Sequence, residues 1–437
     1  MKKVAIIGAG PAGCSAAYHL KNEDIEIHIF EKEDFIGGRT HRYKTDDVGL
    51  DTGAAFFTNF YPLLNQLVGD LGIKDEVIAL ERRVGMRYKN VLAEFTFGDF
   101  STFWNLPFLT TKDKLVMIWN TLVLTLKRPF LDLVNPQKLA KVDDESIADW
   151  ARNTMTDNIY AYCIKPGVEP FWYFSCEDVS RAMTTVLQAN AADAKFFTFK
   201  YGMSRICEKM LNDVNVHMSS QIISVNKKGD CYVLDYSQKG NHYKEDFDAV
   251  ILSCPATVTR KILDMDLLDN KLSEFVNSQQ YVSNIHACYI VDHELVKDLF
   301  AYYYPCGHWD TPIGAIVLHR NKCFESVKAP ENKELISVYL LDKASMELAD
   351  ETEEDIMKKV WELACEFEED LPKDVEPVAL FNRKEAIPLH EVGRFKKAKE
   401  VMDLQSGNLL LAGDYLSCPT EEGALRSGRW AANKLLG

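Results

Sequence analysis

Residues 4–13 read Val-Ala-Ile-Ile-Gly-Ala-Gly-Pro-Ala-Gly, four apolar residues followed by a glycine-rich segment. The four apolar residues are typical of a parallel strand buried on both faces. The glycines then match G-x-G-x-x-G, and small apolar residues follow at helical spacing over 14–20. Gly8 allows a tight turn, Gly10 lets a pyrophosphate approach the backbone, and Gly13 lets the helix lie close to the strand. The stretch therefore predicts a strand, a phosphate-binding turn and a helix.

A second strand is predicted at 25–30, and an acidic residue, Glu31, follows it. Glu31 lies 18 residues beyond Gly13, close to the interval of about 20 at which an acid binds ribose hydroxyls. The N-terminus of the helix offers N–H groups and a positive dipole end to phosphates. An adenine dinucleotide with an unphosphorylated ribose is therefore predicted. Its expected binding residues are Gly8, Gly10, Pro11, Ala12, Gly13, Glu31 and Lys32.

The residues after Glu31 indicate which dinucleotide is bound. Residues 31–40 read Glu-Lys-Glu-Asp-Phe-Ile-Gly-Gly-Arg-Thr. The two glycines allow close backbone approach, and the arginine can neutralise pyrophosphate charge. Here and over 49–56, the sequence resembles the flavin-containing amine oxidase superfamily, which includes monoamine oxidases, protoporphyrinogen oxidases and phytoene desaturases. The resemblance implies FAD. It places beside the cofactor Gly38, Arg39, Gly53, Ala54, Ala55 and Phe56.

Two C-terminal segments carry the same resemblance. Residues 408–414 read as a strand that ends in Gly-Asp, and residues 422–432 begin a helix of small residues. In the family, the acid that matches Asp414 binds the ribityl or pyrophosphate region, and the helix points its N-terminus at the flavin N1/C2 edge. Such a dipole would stabilise an anionic reduced flavin. The resemblance adds to the expected FAD-binding residues Gly413, Asp414, Gly423, Ala424 and Leu425.

Segments in the middle of the chain match the family in the same order. Residues 201–205 resemble its G-M-x-x-L turn, and 221–225 is a predicted strand. In the family, the residue that matches Ile222 contacts the adenine side of FAD through its backbone. The resemblance implies an α/β fold with a Rossmann-like FAD-binding domain of the GR2 type, interleaved with an α+β substrate domain.

The order of the matched segments predicts where these two domains alternate along the 437 residues. The FAD-binding domain is expected to take residues 1–80, 195–262 and 380–437. The substrate domain is expected to take 81–194, which reads as helical, and 263–379, which reads as α+β.

Composition restricts the partners and the compartment. Lys and Arg total 50 against 65 Asp and Glu, a net charge of −15, so nucleic acid is not an expected partner. The 11 cysteines contain no C-x-x-C pair and no zinc-like spacing, which favours a reducing, cytoplasmic compartment without a disulfide framework or metal site. The apolar run before the first glycine is only four residues long, and no run of 18 apolar residues occurs, so neither a signal peptide nor a transmembrane helix is expected.

Residues 100–134 are broadly apolar and locally basic. A helix is predicted, with Thr111 as its cap, Asp113 in its first turn and an end at Lys127. Three interpretations stay open: a core helix, the lining of an apolar tunnel, or a peripheral membrane contact. One predicted apolar face collects Leu115, Ile118, Trp119, Leu122 and Leu126. The basic residues expected at a membrane interface are Lys112, Lys114, Lys127 and Arg128.

The resemblance implies an FAD-dependent oxidoreductase that removes hydride from a hydrophobic or amine-bearing small molecule, at a CH–CH or CH–NH bond. Oxygen or another acceptor would then reoxidise the flavin. Strand 281–287 offers no lysine like the one that amine oxidases place over the flavin, so an amine oxidase proper, releasing H₂O₂, is the first alternative. A flavin-dependent isomerase or mutase without net redox change is the second.

Three residues with reactive side chains are not expected to take part in the chemistry. His286 and His390 are interpreted as structural, and no catalytic base is assigned. Cys418 does not match the family's covalent flavin cysteine. FAD is therefore expected to bind non-covalently. The oligomeric state is not indicated by the sequence.

Overall fold

The computed structural model describes residues 1–132, 135–296, 300–326 and 328–437. The last two residues of the predicted segment 100–134 thus lie outside the described residues, as do parts of 263–379. The strands are β1 (Lys2–Ile7), β2 (Ile25–Phe30), β3 (Arg42–Lys44), β4 (Gly49–Asp51), β5 (Phe57–Thr58), β6 (Val77–Ala79), β7 (Arg83–Tyr88), β8 (Val91–Thr96), β9 (Phe196–Phe199), β10 (Asn215–His217), β11 (Ser220–Lys228), β12 (Cys231–Gln238), β13 (Asn241–Phe247), β14 (Ala249–Leu252), β15 (Tyr281–Asp292), β16 (Tyr302–Pro305), β17 (Ile313–Leu318), β18 (Lys333–Leu340), β19 (Glu376–Pro388) and β20 (Leu409–Leu411). The helices are α1 (Pro11–Leu20), α2 (Pro62–Asp70), α3 (Thr111–Lys127), α4 (Pro136–Leu139), α5 (Ile147–Thr154), α6 (Asp157–Ile159), α7 (Glu169–Trp172), α8 (Ala182–Asn190), α9 (Arg205–Met210), α10 (Ala256–Ile262), α11 (Asn270–Asn277), α12 (His319–Cys323), α13 (Asp342–Leu348), α14 (Glu353–Phe367), α15 (Arg394–Leu404) and α16 (Glu421–Leu436).

A parallel five-stranded sheet forms from distant parts of the chain, in the order β10-β2-β1-β14-β20. Strand β1 is central and buried from Val4 to Ile7, as its unbroken apolar run predicted. Helices α1 and α16 pack on each other so closely that a Cβ at Gly428 would overlap the carbonyl oxygen of Ala12. The predicted strands at 4–7 and 25–30 and the two helices are confirmed. The strand predicted at 408–414 is shorter and forms as Leu409–Leu411.

A second sheet of seven strands has the order β19-β15-β18-β17-β16-β7-β8. It is antiparallel except for the β16–β7 pair. Its hairpin β7–β8 begins the block 81–194, which was expected to be helical, before helices α3 to α8 follow. Strand β19 crosses the expected boundary at 379/380. The domain boundaries stay a prediction.

Helix α3 differs in two ways from its prediction. Its N-cap is Thr110 and not Thr111: Thr110 Oγ1 accepts from the Asp113 backbone N–H at 3.2 Å, and the Asp113 carboxylate accepts from the Thr110 N–H at 2.9 Å. The buried face is built on Asp113, Met117, Thr121 and Leu124. The face that the core-helix interpretation would bury points to solvent instead, with Trp119 66 % and Leu126 70 % exposed, whereas the membrane interpretation leaves this face exposed.

Two further observations bear on the compartment and the membrane. All eleven cysteines are free thiols. Within the described ranges, no helix combines the length and the apolar character needed to cross a bilayer.

Candidate active site

The glycine turn between β1 and α1 is shaped for close approach from outside. Gly8 adopts a φ of +105° and donates its N–H to the carbonyl of Phe30 at 2.8 Å. A Cβ at Gly13 would overlap the carbonyl oxygen of Gly8, so the helix needs glycine there. A Cβ at Gly10 would meet nothing within 4 Å. The turn is thus tight on its inner side and open in front of Gly10. Pro11 begins α1, and no side chain caps this helix.

Glu31 is held at the edge of this turn. One carboxylate oxygen accepts from the Ala9 N–H at 2.8 Å and the other from the Glu33 N–H at 3.0 Å. The Glu31 carbonyl accepts from Ser220 at 2.7 Å, so β11, which carries Ile222, starts beside it. The side chain of Lys32 is exposed and pairs with Glu33 at 3.0 Å, so the structure does not bring that side chain to the turn.

The Gly-Gly-Arg segment lies against the glycine turn and reaches the C-terminal part of the chain. Gly38 adopts a φ of +52°, and a Cβ there would lie 3.3 Å from the Gly10 Cα. Arg39 donates to the Asp414 carboxylate at 2.7 Å and to the Ala386 carbonyl at 3.0 Å. Burial opposes the charge of Arg39, but Asp414 more than offsets it and raises the pKa of the guanidinium.

The segment 53–56 continues from Arg39 into the interior. Ala54 donates its N–H to the Arg39 carbonyl at 3.1 Å, and a Cβ at Gly53 would overlap the same oxygen. Ala55 follows, and the ring of Phe56 packs edge-on against Phe171. This segment therefore links the glycine turn directly to the aromatic interior.

The turn after β20 joins the same site. Gly413 donates its N–H to Ser427 Oγ at 2.9 Å. Thr420 caps α16 by accepting from the Gly423 N–H at 3.0 Å, and a Cβ at Gly423 would overlap the Cys418 carbonyl. Ala424 and Leu425 are buried, and the Leu425 carbonyl accepts from Ser15 Oγ at 2.7 Å. The predicted N-terminal and C-terminal residues thus meet at the first turns of α1 and α16.

Glu421, at the first position of α16, was not singled out from the sequence. Its carboxyl is buried and neither oxygen has a hydrogen-bond partner. Burial, and then the neighbouring Cys207 and Asp51, raises the pKa of this carboxyl well above its ordinary value. The adjacent Glu422 is paired instead, accepting from Leu63 and Leu64 N–H groups at 2.9 and 2.8 Å. An acidic pair at a helix start usually indicates a solvated cap, which is why the sequence offered no signal for a buried acid.

A cavity of about 170 Å³ begins where Phe56 ends the segment 53–56. Its walls come from β5, β7, β8, α3, α7, α8 and the chain around them. Aromatic and aliphatic side chains dominate the lining, so it favours an apolar ligand. They include Phe56, Phe60, Tyr61, Phe95, Phe97, Phe103, Phe171, Trp172, Phe196 and Tyr304.

Three buried polar groups lie outside the lining of the cavity. His286 Nε2 lies 2.8 Å from Ser337 Oγ, and burial lowers the pKa of His286 to about 3. His390 is buried too, with its pKa lowered to about 4. Lys322 is buried, and burial lowers the pKa of its amine while Asp51 opposes the shift. Its Nζ lies 3.4 Å from the Ala55 carbonyl. Lys322 lies on α12, outside strand 281–287, where the family resemblance places such a lysine.

Three observations show that the residues around the glycine turn and α16 fit a bound dinucleotide. They are the open space at Gly10, the carboxylate of Glu31 at the turn, and the unpartnered acid Glu421. The sequence pattern of the flavin-containing amine oxidoreductases matches residues 11–436. The chain belongs to this family. As a flavin-containing amine oxidoreductase it is an oxidoreductase with FAD as cofactor, and the predicted resemblance, fold class and cofactor are confirmed.

Individual flavin-containing amine oxidoreductases match over shorter stretches. Protoporphyrinogen oxidase 2 of Arabidopsis thaliana is 33% identical over 75 residues, which cover 17% of this chain and 15% of that protein. The 15-cis-phytoene desaturase of Capsicum annuum is 23% identical over 286 residues, covering 60% of this chain and 48% of that protein. The chain thus matches less than half the length of these two relatives.

Solved structures in the same fold match over the whole chain. The CLA-producing fatty acid isomerase from P. acnes superimposes with a TM-score of 0.75 at 15% identity, covering 100% of this chain and 99% of that one. At this identity the likeness shows the fold alone.

Proposed function

We propose that this flavin-containing amine oxidoreductase removes hydride from a C–H bond of a hydrophobic small molecule, as desaturases and protoporphyrinogen oxidases do at CH–CH or CH–NH bonds. The observation that carries the proposal is the position of the apolar cavity. Its lining includes Phe56, two residues after Ala54, whose N–H donates to the Arg39 carbonyl. A cofactor held between Arg39 and α16 would therefore have the cavity beside it.

In this proposal, FAD is held non-covalently by the residues that the sequence predicted. The turn 8–13 and Arg39 take the pyrophosphate, Glu31 takes the adenosine ribose, and the backbone near Ile222 contacts the adenine. Asp414 and the start of α16 take the ribityl and flavin end. Cys418 offers no covalent link in this arrangement, because its thiol is buried, contacts Met183 Sδ at 3.5 Å, and has a pKa raised well above its ordinary value by burial.

Bound FAD supplies a two-electron acceptor for the hydride. The contribution of the chain is to exclude water and to orient the substrate with aromatic walls, as Phe171, Trp172 and Tyr304 can do. The N-terminus of α16 favours negative charge at the group that it faces. Neither His286 nor His390 serves as a base here, since each lies in the interior away from the lining of the cavity.

An amine oxidase proper remains the second candidate, and Lys322 is the observation that favours it. In amine oxidases a lysine over the flavin assists reaction with oxygen, and Lys322 lies beside Ala55. A flavin-dependent isomerase is the third, and turnover by the reduced enzyme without an electron acceptor would identify it.

The test is to purify the protein, record its flavin absorbance and add candidate substrates without oxygen. Apolar molecules with removable hydrogens should bleach the oxidised flavin bands, whereas simple primary amines and polyamines should not. H₂O₂ release with simple amines would replace the proposal by the amine oxidase alternative. Protein without flavin absorbance, even after incubation with FAD, would refute both.

We also propose that the outer face of α3 makes a peripheral contact with a lipid bilayer, from a cytoplasmic location. Trp119, Leu122 and Leu126 are at least half exposed there, and Phe130 is 76 % exposed just beyond the helix. Aromatic and leucine side chains with lysines beside them suit the bilayer interface. The nearby exposed lysines are Lys112 and Lys127.

Co-sedimentation with phosphatidylcholine–phosphatidylserine vesicles tests this contact. The triple variant Trp119→Ser, Leu122→Ser, Leu126→Ser should stay in the supernatant while the unchanged protein sediments. Ile223→Ser, at an exposed apolar residue on β11, is the matched control and should sediment. A protein that never sediments would refute the contact.

A further inference from the structure

The segment 418–422, which leads into α16, is bonded to the wall of the apolar cavity. Trp172, the last residue of α7, lines the cavity and is 8 % exposed. Its indole N–H donates to the Pro419 carbonyl at 2.8 Å. A buried indole usually has a partner for its single donor, and here that partner lies just before the helix. One side chain therefore borders the cavity and holds the segment that leads into α16.

Two further contacts join the same segment to parts of the cavity wall. Cys418 lies against Met183 on α8, with 3.5 Å between the two sulfur atoms, and α8 contributes Leu187 to the lining. Glu422 accepts from two N–H groups in the first turn of α2. Tyr61, directly before that helix, lines the cavity. The segment is thus in contact with α7, α8 and α2, and a ligand in the cavity would lie against residues on or next to all three.

The position of this segment matters for the cofactor, because the proposed function assigns the start of α16 to the flavin end of FAD. The dipole of a helix acts mainly within its first turn, so the fit of that turn depends on where the segment lies. A ligand that fills the cavity packs against Trp172 and restricts its ring. The hydrogen bond then restrains Pro419 as well. A site that is already restrained loses less conformational freedom when the cofactor binds.

We propose that Trp172 is a positioning residue that couples the apolar cavity to the cofactor site, so that an apolar ligand and FAD each strengthen the binding of the other. Coupling between two binding free energies is reciprocal, so both affinities change by the same factor. The coupling rests on the proposed function in one respect, which is that the start of α16 lies at the cofactor.

The test is a titration of the FAD-free protein with FAD, followed by flavin fluorescence, with and without saturating octan-2-one. The rise of Tm with octan-2-one concentration gives the saturating concentration for each variant. Trp172→Phe keeps an aromatic side chain in the wall but removes the donor to Pro419. Phe95→Leu is the matched control, because Phe95 lines the cavity from β8 and its side chain has no hydrogen-bond donor.

In the unchanged protein and in Phe95→Leu, octan-2-one should lower the dissociation constant of FAD by about 3- to 10-fold, the worth of one hydrogen bond. In Trp172→Phe this factor should be close to one, although octan-2-one still raises the Tm. A purely structural role of Trp172 would lower the Tm and leave the factor unchanged. The coupling is overturned by an equal factor in folded Trp172→Phe. It is also overturned if octan-2-one leaves FAD binding to the unchanged protein as it is, or weakens it.

A second variant serves if Trp172→Phe does not fold. Trp172 is replaced by β-(3-benzothienyl)alanine, which has the bicyclic shape of tryptophan and a sulfur atom in place of the N–H group. The factor should again be close to one, and a factor equal to that of the unchanged protein overturns the coupling. In the unchanged protein, the dissociation constant of octan-2-one should fall by the same factor when FAD is bound.

The coupling and the proposed function fail in different ways. The FAD titration needs no turnover, whereas the proposed function is judged by the bleaching of flavin absorbance. FAD binding that does not depend on octan-2-one, in a protein whose flavin is bleached by apolar molecules, removes the coupling alone. A factor that is lost in Trp172→Phe, in a protein that releases H₂O₂ with simple amines, supports the coupling and removes the proposed function. Protein that binds no FAD refutes both.

Discussion

Arg39 and Asp414, 375 positions apart in the chain, form an ion pair with 2.7 Å between Nη2 and Oδ1. The pair joins the segment that follows β2 to the turn that follows β20. Because the Asp414 side chain is largely buried and that of Arg39 about one-third exposed, the pair is shielded from water on one side only. Two residues predicted separately to hold FAD are thus one unit.

Asp414→Asn tests this unit. The substitution keeps a similar shape but removes the charge that raises the pKa of Arg39. We expect FAD to bind at least about 10-fold more weakly, which is the worth of a charge-assisted hydrogen bond. Titration of the FAD-free protein with FAD, followed by flavin fluorescence, measures it. Asp403→Asn, on the exposed side of α15, is the control, and equal affinity in both variants would contradict the prediction.

Gly10→Ala and Gly13→Ala separate cofactor binding from folding. The added methyl group at Gly10 meets nothing, so the FAD-free protein should keep its Tm while FAD binding falls sharply, because the pyrophosphate is expected there. At Gly13 the methyl group overlaps the Gly8 carbonyl, and we expect a loss of about 2 kcal/mol or more in the free energy of unfolding. Urea unfolding and FAD titration of both variants check this. Normal FAD affinity in Gly10→Ala would show that the pyrophosphate lies elsewhere.

Glu421 should make stability depend on pH. Its carboxyl has a pKa raised well above the ordinary value by burial, so the folded protein keeps this proton while the unfolded chain loses it above about pH 4.3. The stability associated with the protonated form is therefore complete below that pH. It falls by about 1.4 kcal/mol per pH unit as the pH rises toward the folded pKa.

Glu421→Gln removes this ionisation. The difference in Tm between the FAD-free variant and the unchanged FAD-free protein should be small at pH 4.5 and larger, in favour of the variant, at pH 8. Thermal unfolding at both pH values provides the measurement. A constant difference would mean that Glu421 is ionised in the folded protein.

Glu422 should stabilise the start of α2. It accepts from two N–H groups in the first turn of that helix and also pairs with Arg426 at 2.7 Å. Glu422→Ala leaves these donors buried, so we expect a loss of about 2 kcal/mol, the upper part of the range for helix caps. Glu347→Ala, at an exposed acid on α13, should change the free energy of unfolding little in the same urea titration. Similar losses in both variants would exclude the capping role.

Short-range pattern predicted much of the nucleotide half of the molecule. A few consecutive residues are enough to predict each of three features: the glycine turn, Glu31 and the strand before Asp414. The backbone geometry at each of them restricts which residue types can occur. The cap of α3 was misplaced by one position, because Thr110 and Thr111 are equally good caps and the partner residue Asp113 decides between them. The exposed face of α3 was predicted as an apolar face, but its direction depends on what packs beside it.

The cavity and Glu421 could not be predicted for a different reason. Thr58, Gln188 and Tyr304 line one cavity only after three sections of chain have folded together, and nothing near any of them in the sequence marks a ligand site. Glu421 and Glu422 are adjacent and identical, yet one is paired and the other is not. Glu422 is paired because α2 lies beside it. The sequence around α16 does not indicate where α2 packs.

Helix α3 has Met117 and Thr121 in the lining of the cavity and Trp119 and Leu122 on the outside. One helix diameter, about 10 Å, therefore separates the reaction space from whatever covers the outer face. With a bilayer there, an apolar reactant would be delivered from a hydrocarbon phase in which it is already concentrated. Michaelis constants would then scale with the mole fraction of reactant in the lipid, and molarity in the surrounding water would be the wrong unit for comparing substrates.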